Sequence, residues 1–171
     1  MKETTIKKAS KLTSPNPLSL ICTRKEDGST NLAAVSFWTY LAFDPGKIGF
    51  AMGFKAFTGK REWETGEAVL VIPGADLKDA VMQCGSSTGE KTDKIRKFGI
   101  EMEKLPGTEI QIPKHSKAAF HLSLDQIVEV GDHYLYICNV EAVYENIAEE
   151  AVFAWDGYSK IAPAKESTRW Y

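Results

Sequence analysis

Residues 134–144 read YLYICNVEAVY, a run of aromatic and β-branched side chains broken only by Leu135, Cys138, Asn139, Glu141 and Ala142. Such residues suit a pleated, half-buried surface, and the run is long enough to cross the wall of a β-barrel. A chain carrying this segment is committed to a substantial sheet. The segment before it agrees. Residues 118–124 alternate Phe120, Leu122 and Leu124, residues 127–130 extend the pattern, and Gly131 with Asp132 supplies a turn between the two runs.

The N-terminal half adds more strands. Residues 17–23 form an apolar run leading into Asp27 and Gly28, and residues 32–43 follow, which reads as a hairpin. After Asp44, Pro45 and Gly46, the apolar Ile48, Phe50 and Met52 alternate with other residues, the period of a strand with one buried face. Residues 67–72 (EAVLVI) are almost continuously apolar and end at Pro73 and Gly74, which predicts a strand buried on both faces. Helical periodicity is confined to the middle. Leu77, Ala80, Val81 and Cys84 fall on one face while Lys78 and Asp79 point away, and a second short helix starting near Thr92 would bury Ile95 and Phe98 before stopping at Gly99.

Strands outnumber helices, short turns separate them, and the regular strand–helix alternation of a parallel sheet is missing. The expected fold class is therefore mainly β, an antiparallel β-barrel with added α-helices. With no internal repeat, linker or low-complexity tract, residues 1–171 read as a single domain. A hydrophobic fraction of 43% and a charged fraction of 26% suit a globular chain.

Charge and cysteine usage narrow the function classes. A net charge of -2 gives no electrostatic basis for nucleic-acid binding, and Lys2, Lys7, Lys8 and Lys11 read as a solvated arm. Cys22, Cys84 and Cys138 are odd in number and far apart, unlike a disulfide framework, and Cys22 and Cys138 read as buried packing residues. Without an apolar signal core or a run of roughly 18 apolar residues, the expected setting is cytoplasmic, with no membrane partner.

Familiar catalytic motifs fail on inspection. Residues 85–92 (GSSTGEKT) suggest a phosphate loop, but only three residues separate the glycines, Glu90 precedes Lys91, and a helix stands where a strand is needed. A polar loop between two helices accounts for it better. His115, His121 and His133 lack metal-ligand spacing, so no metal is expected, and neither a serine elbow nor a dinucleotide-binding glycine turn occurs. His133 stands apart because it follows a turn and opens the long strand, where a side chain can reach a pocket mouth.

A mixed set remains at strand ends: Asn31, Ser36, Thr39, Lys55, Thr58, Lys60 and Arg61, interleaved with Phe37, Trp38 and Phe57. Hydroxyls and cations hold phosphate while aromatics flank a ring, so the set suits a phosphorylated aromatic ligand. Solvated strand ends beside core aromatics would give the same composition.

Several stretches in this order resemble the flavin reductase-like proteins, especially the flavoredoxin group, over nearly the whole chain. They are residues 16–23 (NPLSLICT) with Asp27 and Gly28, residues 31–39 (NLAAVSFWT), residues 55–60 (KAFTGK) followed by Trp63 and residues 65–71 (TGEAVLV), residues 92–98 (TDKIRKF), and residues 131–133 (GDH). The resemblance implies an FMN-binding split barrel that holds its flavin non-covalently near the interface of a homodimer. It places Asn31, Ser36, Phe37 and Trp38 along the isoalloxazine ring and Lys55, Thr58 and Lys60 on the phosphate side. Lys94 matches the motif lysine, and His133 is the candidate catalytic residue near the ring. Residues 153–158 resemble the closing segment loosely, where Trp155 or Tyr158 could cover the flavin. The implied activity is an FMN reductase using NADH or NADPH. A flavoredoxin-type electron carrier serving a redox partner protein, or a non-redox ligand-binding barrel, stays open at this point.

Overall fold

The computed structural model describes residues 1–164. In chain order the elements are α1 (Ile6–Leu12), β1 (Ser19–Arg24), β2 (Thr30–Val35), β3 (Trp38–Phe43), β4 (Gly46–Gly53), α2 (Phe57–Thr65), β5 (Glu67–Pro73), α3 (Lys78–Gly85), α4 (Lys94–Phe98), β6 (Met102–Lys104), β7 (Gln111–Pro113), β8 (Ser116–Val130), β9 (His133–Glu145), β10 (Val152–Trp155) and β11 (Lys160–Pro163). Seven strands form one antiparallel sheet in the order β2-β1-β5-β8-β9-β4-β3, while β6 pairs with β7 and β10 with β11.

This order closes the sheet. β2 and β3 lie at its two ends, yet only Ser36 and Phe37 separate them in the chain. A flat seven-stranded sheet would hold its edges roughly 29 Å apart, whereas the chain from Val35 to Trp38 reaches about 11 Å. The sheet must roll until its edges meet. The Ala51 N–H of β4 donates to the Phe37 carbonyl at 2.8 Å, which carries the β3–β4 ladder one residue into the corner.

Rolling gives the strands an inside and an outside. Ile21, Ile48, Phe50, Leu70, Leu122 and Tyr136 fill the interior, where Phe50 and Tyr136 stack with centroids 5.4 Å apart. The alternate residues Leu20, Cys22, Val69 and Val71 face outward, and Val81 and Cys84 of α3 cover them together with Ile110 and Ile112. β5 is thus buried on both faces, as residues 67–72 predicted. The 28-residue β8–β9 ribbon, the hairpin at Gly28 and the apolar face of α3 also match the sequence reading.

Other features depart from it. Residues 32–43 do not continue as one strand: the chain turns at Ser36 and Phe37 and crosses from one sheet edge to the other. α2 carried no apolar periodicity because the face it buries consists of Thr58, Gly59, Arg61 and Glu62. The lysine-rich arm forms α1, which buries nothing, while β6 and β7 are too short to show alternation. α4 buries Lys94 fully, with Ile95 and Phe98 only partly covered.

α2 packs against the barrel interior with polar groups. The Glu62 side chain is fully buried, its Oε1 accepts from Cys138 Sγ at 3.1 Å, and its Oε2 has no partner among the described residues. Burial raises the carboxyl from 4.5 to about 7, despite the opposing Cys138 hydrogen bond, and burial followed by the Glu62 charge pushes the Tyr136 hydroxyl up to about 12. An acid with a raised native pKa keeps a proton that the unfolded chain has lost, so stability falls as pH rises between about 4.5 and 7. The shift corresponds to roughly 3 kcal/mol. Denaturant titrations at pH 5 and pH 8 should show this loss, and Glu62→Gln should remove most of it. An unchanged pH dependence in the variant would place its origin elsewhere.

Candidate functional site

The line where the sheet closes carries a cavity of about 550 Å³. Ala33, Ala34 and Val35 of β2 and Ala51, Met52 and Gly53 of β4 contribute its walls, and Met82 and Gly85 of α3 line it as well. Small side chains let a flat ligand approach the two strands closely, and the volume falls in the range of small-molecule sites. The corner that closes the barrel also supplies Ser36 and Phe37 to this cavity.

Three rings meet at its edge. Phe37 lies 5.7 Å from the His133 ring and 6.1 Å, edge-on, from Tyr158. Phe37 is 52% exposed at the cavity mouth. His133 opens β9 opposite Gly53, and its Nδ1 lies 2.6 Å from Asp132 Oδ1. That hydrogen bond, reinforced by the histidine's charge, holds the Asp132 carboxyl below its usual range. An ionised carboxylate only accepts, so Nδ1 carries the proton and Nε2 is the nitrogen free to exchange one.

Ala56, the residue before α2, lines both this cavity and a neighbouring groove that contains Lys55 and Lys60. Among the described residues no side chain caps α2, so the N–H groups of its first turn lack intrahelical partners. An apolar slot therefore runs into a charged end lined by Lys55, Lys60, Glu64 and Glu90, with a helix N-terminus between them.

The residues singled out from sequence divide into three groups. Ser36, Phe37 and His133 line the cavity, and Lys55 and Lys60 line the adjoining groove. Asn31, Thr58 and Lys94 are buried behind the site. Asn31 Nδ2 donates to Thr58 Oγ1 at 2.8 Å and to Thr23 Oγ1 at 3.3 Å, tying β2 to α2 and β1. Gly89 presses against the Asn31 amide so closely that a methyl group there would overlap Oδ1. Lys94 Nζ donates to the carbonyls of Leu32 at 2.7 Å and Cys84 at 2.9 Å, pinning β2 to the end of α3, and burial lowers its pKa. Trp38 takes a different direction: it lines a separate pocket with Tyr40 and Phe120 on the other side of Leu18.

Tyr158 reaches the cavity, while Trp155 does not line it. The alanines and glycines of the walls escaped sequence reasoning because a small side chain carries no chemical signal of its own. Only the meeting of β2 with β4 shows what their smallness leaves open.

The chain matches the family described as flavin reductase like domain over residues 12–162. A protein of Archaeoglobus fulgidus is 26% identical over 107 residues, covering 63% of this chain and 60% of the relative. A protein of Pyrococcus abyssi is 26% identical over 114 residues, covering 66% of this chain and 64% of the relative, so the match spans less than two thirds of either curated relative. Among solved structures, the flavoredoxin of Desulfovibrio vulgaris (Miyazaki F) superposes with a TM-score of 0.83 at 19% identity, covering 99% of this chain and 97% of that one. An FMN-binding protein from Thermus thermophilus gives 0.79 at 23% identity over 93% and 92%. An NADH:FAD oxidoreductase of Streptomyces globisporus C-1027 gives 0.82 at 12% identity over 97% and 99%. At these identities the likeness establishes the split-barrel fold.

The placement of Lys94 generates a prediction. Lys94→Met removes two hydrogen bonds from a charged donor and leaves two carbonyls without it, and should lower the unfolding free energy by about 2 to 4 kcal/mol in denaturant titrations. A variant as stable as the parent would show that the pin is dispensable.

Proposed function

We propose that this chain, which belongs to the flavin reductase-like family, binds FMN non-covalently at the seam and acts as an NAD(P)H-dependent flavin reductase. The observation that carries the reading is the continuity of an apolar, ring-edged cavity, across Ala56, with a charged groove that holds Lys55 and Lys60 beside Glu64 and Glu90. FMN has the same polarity, a planar ring at one end and a phosphate at the other. The residues present fit it in kind: small side chains on β2 and β4, exposed Phe37, and Lys55 and Lys60 beyond the uncapped turn of α2.

A bound flavin supplies the capacity to accept hydride or single electrons. The chain's own residues do the rest. Phe37 and Tyr158 shield one edge of the cavity from water, and Ser36 offers a hydroxyl at the corner. His133, oriented by Asp132, holds or delivers a proton at Nε2. Lys55 and Lys60 bind phosphate with the first-turn N–H groups of α2, and Thr58 with Asn31 fixes the position of that turn.

A flavoredoxin-type electron carrier is the second reading, favoured by the likeness to a flavoredoxin over 99% of the chain. It would keep its FMN bound and exchange electrons with a partner protein. We further assign the whole chain to one flavin reductase-like domain, working in the cytoplasm as a homodimer. Phe43 and Val143, 86% and 57% exposed, are apolar surface that a second copy would cover.

Titration with FMN should produce the two visible bands of bound oxidised flavin, and Phe37→Ala should weaken binding by about tenfold, the scale of one lost stacking contact. A protein that ignores FMN at any practical concentration would remove the flavin reading. Rapid mixing of the loaded protein with NADH or NADPH separates the alternatives: fast bleaching by either marks a reductase, and slow bleaching by both marks a carrier.

A further inference from the structure

Glu62 lines neither the seam cavity nor the groove beyond Ala56. It stands on α2 one turn after Thr58, about 6 Å further along the helix axis. Its side chain enters the barrel wall instead of solvent. Cys138, its hydrogen-bond partner, belongs to the apolar cluster that fills the barrel, and Glu62 Oε2 is buried with no partner among the described residues. Tyr136 connects this interior to the groove. Its ring stacks on Phe50 inside the barrel and also lines the groove, and a methyl group on Gly59 of α2 would overlap its hydroxyl. Burial first, and then the Glu62 charge, raises that hydroxyl, so the two groups are electrostatic neighbours.

Among the described residues no cation pairs with Glu62. From β9 it meets Cys138 and Tyr136, which burial keeps neutral. Behind Cys138, Lys47 of β4 is paired with Asp125 of β8 at 2.6 Å. On α2 itself, Arg61 is turned to the Arg24 carbonyl of β1, to Glu26 and to Glu64, and Lys60 also faces Glu64. β2 meets α2 through the uncharged Asn31, and Glu67 of β5 is taken by His121 and Thr108. A carboxylate set in an apolar wall without a counter-ion is costly, whereas the neutral acid is tolerated. The inward seat of Glu62, and with it the present position of α2, therefore belongs to the protonated form.

We propose that Glu62 is a positioning residue that couples the phosphate end of the site to a proton: phosphate binds at the first turn of α2 when Glu62 is neutral, and draws a proton onto Oε2 when Glu62 is ionised. The inference rests on the flavin reading of the seam cavity and names a regulation of that site. Two effects act in the same direction. An anion at the turn repels a carboxylate one helical turn away, and an ionised Glu62 disfavours the seat that holds the turn in place. The proton comes from solvent, and no other bond changes. Coupling of this kind is reciprocal, so the proton that favours phosphate is itself held more tightly once phosphate is bound.

The test compares the full chain with Glu62→Gln, using FMN and riboflavin as probes at pH 6 and pH 8, which bracket the carboxyl at about 7. Fluorescence titration should give equal FMN affinity for the two proteins at pH 6 and, at pH 8, about fivefold tighter binding by the variant. Titration of the FMN phosphate itself, at about pH 6, is common to both proteins and cancels. Riboflavin has the same ring without the phosphate, and its affinity should show no such gap. Calorimetry at pH 7.5 in buffers of different ionisation enthalpy should find the parent taking up about half a proton more per FMN than the variant. Glu62→Leu, also uncharged at every pH, should repeat the behaviour of Glu62→Gln. Parallel FMN affinities at both pH values would overturn the proposal, and so would a gap of equal size for riboflavin, which would mark a general effect on stability. If neither flavin binds, the seam reading fails on its own. Sulfate, which does not titrate in this range, then probes the turn alone through the amide NMR shifts of Thr58 and Gly59. Weaker sulfate binding by the parent than by Glu62→Gln at pH 8 would still support the coupling, and equal or absent binding would overturn it.

Discussion

Two residues, Ser36 and Phe37, join strands that the hydrogen-bonded order places at opposite ends of a seven-stranded sheet. The short reach of that corner forces the sheet to roll, and the rest of the molecule follows. Rolling turns the alternate residues of β1 and β5 into two distinct surfaces, one filling the barrel and one seeking cover from α3 and the β6–β7 ribbon. Because the corner sits where the sheet closes, the constraint that makes the barrel also opens the cavity beside it. Phe37 serves both roles: it is half of the two-residue corner, and its ring edges the site.

The buried polar groups divide the labour around that cavity. Asn31 and Thr58 tie the first turn of α2 to β2 and β1, and Lys94 ties β2 to the end of α3. None of these three lines the cavity, yet each fixes an element that does. Hydrogen bonds to a buried charged donor are strong and directional, which suits them to locating a wall rather than to binding a ligand that comes and goes. Some of these groups carry a cost: Asn31 Oδ1 and Glu62 Oε2 are buried without a partner among the described residues, and for Glu62 the proton it retains near neutrality limits that cost.

The charged and aromatic groove past Ala56 gives the site a direction. A ligand with its ring in the seam would send its phosphate toward Lys55 and Lys60, and the open rings of Phe54 and Trp63 lie on the same path.

Much of this was legible in the sequence where a periodic pattern or a turn residue announces local structure. Residues 67–72 gave a strand buried on both faces, Leu77 to Cys84 a helix with one apolar stripe, and Gly28, Gly99 and Gly131 the turns that their positive φ values now explain. The motif order also pointed to the family, and Ser36, Phe37 and His133 to the cavity edge. Local sequence could not reveal that residues 32–43 break at Ser36, because both halves are apolar and strand-like and the break is imposed by closure. Nor could it separate Lys94 from Lys55: the same ammonium group is a buried pin in one place and an open cation in the other, and only the surrounding carbonyls decide. Chain chemistry determined which elements form and which residue types are on hand. The rolled sheet alone decided which of them meet, since the faces of β2 and β4 that make the cavity come together across its seam.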